Sequence, residues 1–170
     1  FIDVEESVSK PNKYLNNNFK NTIKLIKICE KFGLKKIIFS STAAVYGNSI
    51  TGTCSERSKL NPLSMYALSK LKCENFLKKK ENMKYVILRY FNVAGADIKL
   101  RSGLISKKKS THLIKKLCEN FIKQKKIIIN GNNYPTIDGT PVRDYMHVHD
   151  LALAHYNASK YLLKNGKSDV

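Results

Sequence analysis

Arginine is scarce in this chain. Only Arg57, Arg89, Arg101 and Arg143 carry a guanidinium among 31 basic residues, which face 13 acidic ones and give a formal net charge of +18 over 170 residues. So large an excess ordinarily points to nucleic acid or an anionic membrane as a partner. Readers of phosphates and base edges, however, lean on the planar arginine fork. Here lysine, asparagine and isoleucine are abundant everywhere, including stretches with no other binding signature. A chain-wide residue bias accounts for the charge, and no specific nucleic-acid partner is expected. The densest basic run, Ser106 to Ser110, reads as a solvated loop.

Other absences narrow the field further. No apolar stretch reaches the length a bilayer crossing needs, and the opening residues do not resemble a signal peptide, so no membrane partner is expected. Cys29, Cys54, Cys73 and Cys118 show no C-x-x-C spacing, which suits reduced thiols in a cytoplasmic protein. His147 and His149 could face the same way on a strand, but no third ligand lies at metal spacing nearby, and no metal site is expected. The chain opens on Phe1 without an initial Met and stops at Val170, as a piece of something longer would.

What is present is a regular alternation. Leu15, Phe19, Ile23, Ile26 and Cys29 recur at threes and fours between Pro11 and Gly33, predicting a helix. The runs KKIIFSS and KYVILRYF are short, continuously apolar and followed by Gly-containing loops, as strands buried on both faces and paired in parallel would be. THLIKKLCENFIKQ and LALAHYNASKYLLK predict two more helices, the second capped by Asp150, and KIIIN predicts another short strand. Helix and strand in turn imply a layered α/β sheet with right-handed crossovers. Sites in such sheets gather beyond the carboxyl ends of the strands. The loops there are SSTAAVYGN and FNVAGAD, both rich in small and hydroxyl residues that admit a ligand closely.

Between the two strands lies PLSMYALSKLKCENF, Pro62 to Phe76. Pro62 restricts Asn61 and Ser64 can cap, so a helix is expected from about Ser64 to about Lys80. Tyr66 and Lys70 then share a face one turn apart. Met65, Phe76, Cys73, Tyr66 and Leu77 form an apolar arc with Lys70 at its edge. A lysine there is explained either by snorkelling of its methylene stem or by chemistry. The spacing alone does not choose.

Four collinear stretches do. FSSTAAVYG, YALSK, LRYFNVAGA and DGTPVRDYMHVHDLA, in this order across nearly the whole chain, resemble the extended short-chain dehydrogenase/reductase family, and more narrowly its UDP-glucose 4-epimerase branch. The resemblance implies a partial Rossmann-like, doubly wound parallel sheet with flanking helices and part of a small substrate-binding region. Residues 1–95 would be the remainder of the NAD-binding domain, 96–141 part of the substrate-binding region, and 142–170 a return segment bridging the two.

It also implies a chemistry: NAD-dependent interconversion of UDP-glucose and UDP-galactose through a 4-keto sugar. A free phenol has a pKa near ~10, so Tyr66 needs acidifying to act as base on the sugar 4-hydroxyl, and Lys70 with a positively charged nicotinamide would supply that. Thr42, where many relatives carry serine, would hydrogen-bond the same oxygen. Thr42, Tyr66 and Lys70 are the implied catalytic residues. Asn17 and Phe91 would join them in contacting NAD. Asn92, His112, Leu113 and Arg143 would join Thr42 and Tyr66 in holding a UDP-hexose, with Arg143 on the diphosphate, where its bidentate fork suits. The other reading of Arg143 is an ion pair with Asp144 or a neighbour. Asp144, Tyr145 and His147 are expected to brace that loop.

Two departures matter. Sugar-nucleotide dehydratases of the same family carry an acid and a base directly after the strand-end hydroxyl, where this chain has Ala43 and Ala44, so elimination is disfavoured. No G-x-x-G-x-x-G turn occurs anywhere, and with it goes the seat for a dinucleotide pyrophosphate. The matched region is therefore expected to be the central half of an enzyme that is a homodimer when whole. The alternatives are an inactive remnant of such an epimerase or another sugar-nucleotide epimerase of the extended family, with a basic nucleic-acid-binding module the most distant.

Overall fold

The computed structural model describes residues 1–48, 52–105, 112–129 and 131–170. They form two compact units, Phe1–Tyr90 with His155–Val170, and Phe91–Ala154. The basic run at 106–110 lies outside the described residues.

In the first unit α1 (Val4–Ser9) is capped by Asp3, whose carboxylate accepts from Glu6 N at 2.8 Å. A continuous helical run follows: α2 (Pro11–Tyr14), a π-helical stretch (Leu15–Asn21) and α3 (Thr22–Lys31). This is the helix expected from the apolar spacing, with a widened turn that the spacing does not announce. Strand β1 (Lys36–Ser40) pairs in parallel with β2 (Lys84–Leu88), Ile38 opposite Val86. On the far side of β2 the chain's end continues the sheet, with Ile87 N donating to Asp169 O and Asp169 N to Tyr85 O, both at 3.0 Å.

Between the strands, a short 3-10 helix (Ala43–Tyr46) leads toward α4 (Met65–Lys78). Ser64 caps α4 as expected, its Oγ accepting from Ala67 N at 3.2 Å. The pair β1–β2 is covered on both faces, which is why each strand reads as an unbroken apolar run. Phe39 and Ile87 pack with Ile26, Cys73, Leu77 and Met83 on one side. Val86 meets Ala158 and Leu162 on the other, with Ile38 and Leu88 against them.

In the second unit β3 (Asn92–Ala94) pairs in parallel with β4 (Tyr145–His147). Helix α5 (Leu113–Ile122) lies between them in sequence. Helix α6 (Val148–Leu163) begins in this unit and continues into the first. It starts directly after β4, so Asp150 sits in its first turn instead of capping it, where its charge still favours the helix dipole. The strand expected at KIIIN is not formed among its described residues. Ile127, Ile128 and Ile129 find no ladder partner and are 52%, 70% and 71% exposed. An apolar run becomes a strand only where another strand takes up its backbone groups.

Candidate functional site

At the carboxyl end of β1 the ladder to β2 continues for two more bonds, Ser41 N to Leu88 O at 2.8 Å and Ala43 N to Tyr90 O at 3.0 Å. That holds Thr42 between two anchored residues. Its backbone is extended, its Oγ1 accepts from Ala44 N at 3.2 Å, and it is buried. Tyr66, in the first turn of α4, is half-buried, and the Thr42 hydroxyl lies near enough to its phenol to favour the ionised form. Lys70 follows one turn later. Its ammonium does not snorkel: Nζ donates to Ser40 O at 2.9 Å and lies 5.1 Å from the centre of the Phe39 ring.

The electrostatics differ from the simplest expectation. Burial pushes the Tyr66 phenol above its ordinary value, the nearby Thr42 hydroxyl pulls it back, and Tyr90 adds to the rise. Burial lowers Lys70, partly offset by Cys73. The Lys70 ammonium is directed at the Ser40 carbonyl. Thr42 lowers the phenol against the effect of burial. Asn17 lies in the π-helical stretch, a geometry found often at functional sites. It is exposed, with its amide donating to Asn18 Oδ1 at 3.0 Å.

In the second unit, Asn92, His112, Leu113 and Arg143 all line one open cleft of about 1270 Å³. Asn92 is fixed at the start of β3 by its Nδ2 donating to Asp144 O at 3.2 Å. His112 and Leu113 stand at the N-terminus of α5. Arg143 is exposed, with Nη1 donating to Val142 O at 2.7 Å, and among the described residues no ion pair joins it to Asp144. Phe91, 46% exposed, does not line the cleft. Ala43 and Ala44 open the 3-10 helix and offer no acid or base beside Thr42. His147 ends β4 while His149 is already in α6, its N donating to His147 Nδ1 at 3.2 Å, and the described residues hold no metal-binding cluster.

Sequence reasoning passed over a buried polar network behind Thr42. Ser41 Oγ donates to Glu74 Oε1 at 2.5 Å, and Arg89 grips the same carboxylate through Nε at 3.0 Å and Nη2 at 2.5 Å. Arg89 Nη1 also reaches Tyr46 Oη at 3.0 Å. Glu74 falls one turn beyond Lys70 and directly beside Cys73 on the arc that packs inward. A carboxylate there was the available signal, since acidic residues are rarely buried without a partner.

The profile of the NAD dependent epimerase/dehydratase family matches residues 2–168. The chain belongs to that family. It is similar to the UDP-glucose 4-epimerase of Azospirillum brasilense, 43% identical over 171 residues, 98% of this chain and 49% of that protein. Among solved structures it superposes on UDP-glucose 4-epimerase from Brucella ovis in complex with NAD, with a TM-score of 0.92 at 36% identity over 99% of this chain and 53% of that one. The epimerase from Bifidobacterium longum in complex with NAD+ and UDP gives 0.88 at 35% identity, covering 95% and 50% of the two chains. The chain spans about half the length of the curated relatives it matches. The Rossmann-like α/β class expected from the sequence is the fold of this family.

Proposed function

We propose that this chain is the central part of an enzyme that interconverts UDP-glucose and UDP-galactose by 4-epimerisation, in galactose metabolism, in the cytoplasm. The observation that carries the reading is Tyr66 in the first turn of α4 beside the Thr42 hydroxyl at the end of β1, with Lys70 one turn away on Ser40 O. The similarity to named 4-epimerases and the alanines at the positions a dehydratase would use support it.

The donor set suits the nicotinamide–ribose end of NAD. Lys70 offers an ammonium and Asn17 an exposed amide at the edge of the same unit, and Tyr66 and Thr42 offer hydroxyls. Asn17, Thr42, Tyr66, Lys70 and Phe91 would hold it, and no Gly-rich turn within this chain would seat its pyrophosphate. When bound, NAD supplies a reversible acceptor for the hydride at the sugar C4 and a positive ring that favours phenolate. Tyr66 then takes the proton of the 4-hydroxyl, and Thr42 holds the same oxygen and lowers the energy of the charged phenol. Asn92, His112 and Leu113 would position the hexose and uridine portions, and Arg143 the diphosphate.

On this reading residues 1–95 complete the dinucleotide domain, 96–141 belong to the substrate region and 142–170 return between them. The whole enzyme would be a homodimer. The test is made on the full-length protein containing this chain. Tyr66→Phe should lower interconversion of the two UDP-hexoses by about 10²–10⁴-fold, the usual contribution of a positioned base, with an unchanged circular dichroism spectrum. Full turnover by that variant would refute the assignment.

A further inference from the structure

We propose that Glu74 is a positioning residue for the Tyr66–Thr42 pair, a buried carboxylate that ties the tyrosine-bearing helix to the strand end on which the threonine stands. This rests on the proposed function for its consequence in turnover, while its geometry is independent of it.

Glu74 is fully buried on the inner side of α4, two turns beyond Tyr66. One carboxylate oxygen accepts from Ser41 Oγ at 2.5 Å, and Ser41 is the residue immediately before Thr42. The other accepts from Arg89 Nη2 at 2.5 Å, and Arg89 directly follows the last residue of β2, beside β1. Arg89 in turn holds Tyr46 Oη at 3.0 Å, and Tyr46 closes the 3-10 helix that Thr42 opens. The segment Ser41–Tyr46 is thus held at both ends, directly or through Arg89, by one carboxylate on the helix that carries Tyr66.

A buried ion pair is weak evidence for stability, since well-packed apolar groups often serve as well. Here the carboxylate meets three further demands that apolar groups cannot meet: it accepts from a hydroxyl, orients a guanidinium, and through it holds a phenol. Fully satisfied buried networks of this kind specify one arrangement of the elements that carry them. Displacing a reacting group by about 1 Å costs on the order of 10²-fold in rate. The charged and titratable groups facing Glu74 are Arg89, the neighbouring buried Cys73 thiol and, more distantly, Lys78 on its own helix, with Tyr46 beyond Arg89. Those influencing Tyr66 are Thr42 and Tyr90, with Lys70 a turn away on the same face. Moving the Thr42 hydroxyl away from the phenol removes the influence that lowers it, so the base form is reached only at higher pH.

The experiment uses the full-length protein with Glu74→Gln, Glu74→Asp and Ser41→Ala. It measures kcat and KM for UDP-galactose against pH, thermal midpoints, and the Tyr66 phenol by ultraviolet difference titration against Tyr66→Phe. Glu74→Gln should lower kcat by about 10- to 100-fold with KM changed by less than about threefold, and should move both the acidic limb of kcat and the Tyr66 titration to higher pH. Glu74→Asp should recover part of the loss. Ser41→Ala, which leaves the ion pair intact, should shift the same limb in the same direction with little change in midpoint. The proposal is overturned if both Glu74→Gln and Ser41→Ala leave the Tyr66 titration and the kcat of the folded enzyme where the parent has them, whatever happens to the midpoint. Should the parent enzyme fail to interconvert the sugars, the proposed function fails, and the Tyr66 titration alone still decides the role of Glu74.

Discussion

The two units of this chain bury very different amounts of themselves. Every buried residue among those described, from Tyr14 and Ile26 to Ala158 and Leu162, belongs to the first unit. The second unit has none, and Phe121, Ile122 and Ile127–Ile129 stand open. The first unit has strands covered on both faces and hydroxyl, carboxylate and guanidinium groups paired inside. The second has two short paired strands, an amphipathic helix and a broad cleft. The comparison teaches where precision resides: the Tyr66–Thr42 pair is built on packed elements, whereas the groups lining the cleft rest on a surface still open within this chain.

Substitution in the core should break the comparison most visibly. Leu77→Ala, at a fully buried site between α3, α4 and the sheet, should cost about 2–5 kcal/mol, read by chemical denaturation. The same truncation at Ile128 should stay within about 0.5 kcal/mol. Equal losses at the two positions would erase the distinction.

A sharper contrast lies in two glycines. Gly47 has φ +71°, and a Cβ there would meet Asn61 O at 2.1 Å, a backbone atom tied by Asn61 N donating to Val45 O. Gly95 has φ +94°, but its Cβ would meet the ring of the exposed His147, which can swing aside. Gly47→Ala should therefore cost about 3 kcal/mol from strain and clash together. Gly95→Ala should cost about 1–2 kcal/mol, and the two midpoints measured side by side check the order.

The smallest effect depends on pH. Burial pushes the Cys73 thiol from an ordinary 9.0 up to about 11. The folded state therefore holds that proton more tightly than the unfolded one. The resulting stability is complete below pH 9 and is lost as pH rises toward 11. Cys73→Ser, which keeps a donor toward Asn18 O, should remove this decline of up to ~2 kcal/mol from a denaturation series across that window.

Much of the first unit was legible beforehand because its signals are local. Ser64 before an apolar arc caps α4, and two uninterrupted apolar runs became the parallel pair. Asp150 misled because a cap depends on where the preceding strand ends, and KIIIN misled because a strand needs a partner that lies elsewhere. The π-helical turn around Asn17 has no periodicity signature in a stretch of asparagines.

Residue order by itself determined which side chains share a helix face and which strands run apolar throughout, and hence that Tyr66 and Lys70 stand together. Those are consequences of fixed helical and strand periods. Only tertiary structure decided that the Lys70 ammonium turns to the Ser40 carbonyl, that Thr42 meets the phenol, and that Glu74 takes both Ser41 and Arg89. Each of those contacts joins groups far apart in sequence, and their pairing inside a low-dielectric interior is set by burial, which no local pattern encodes.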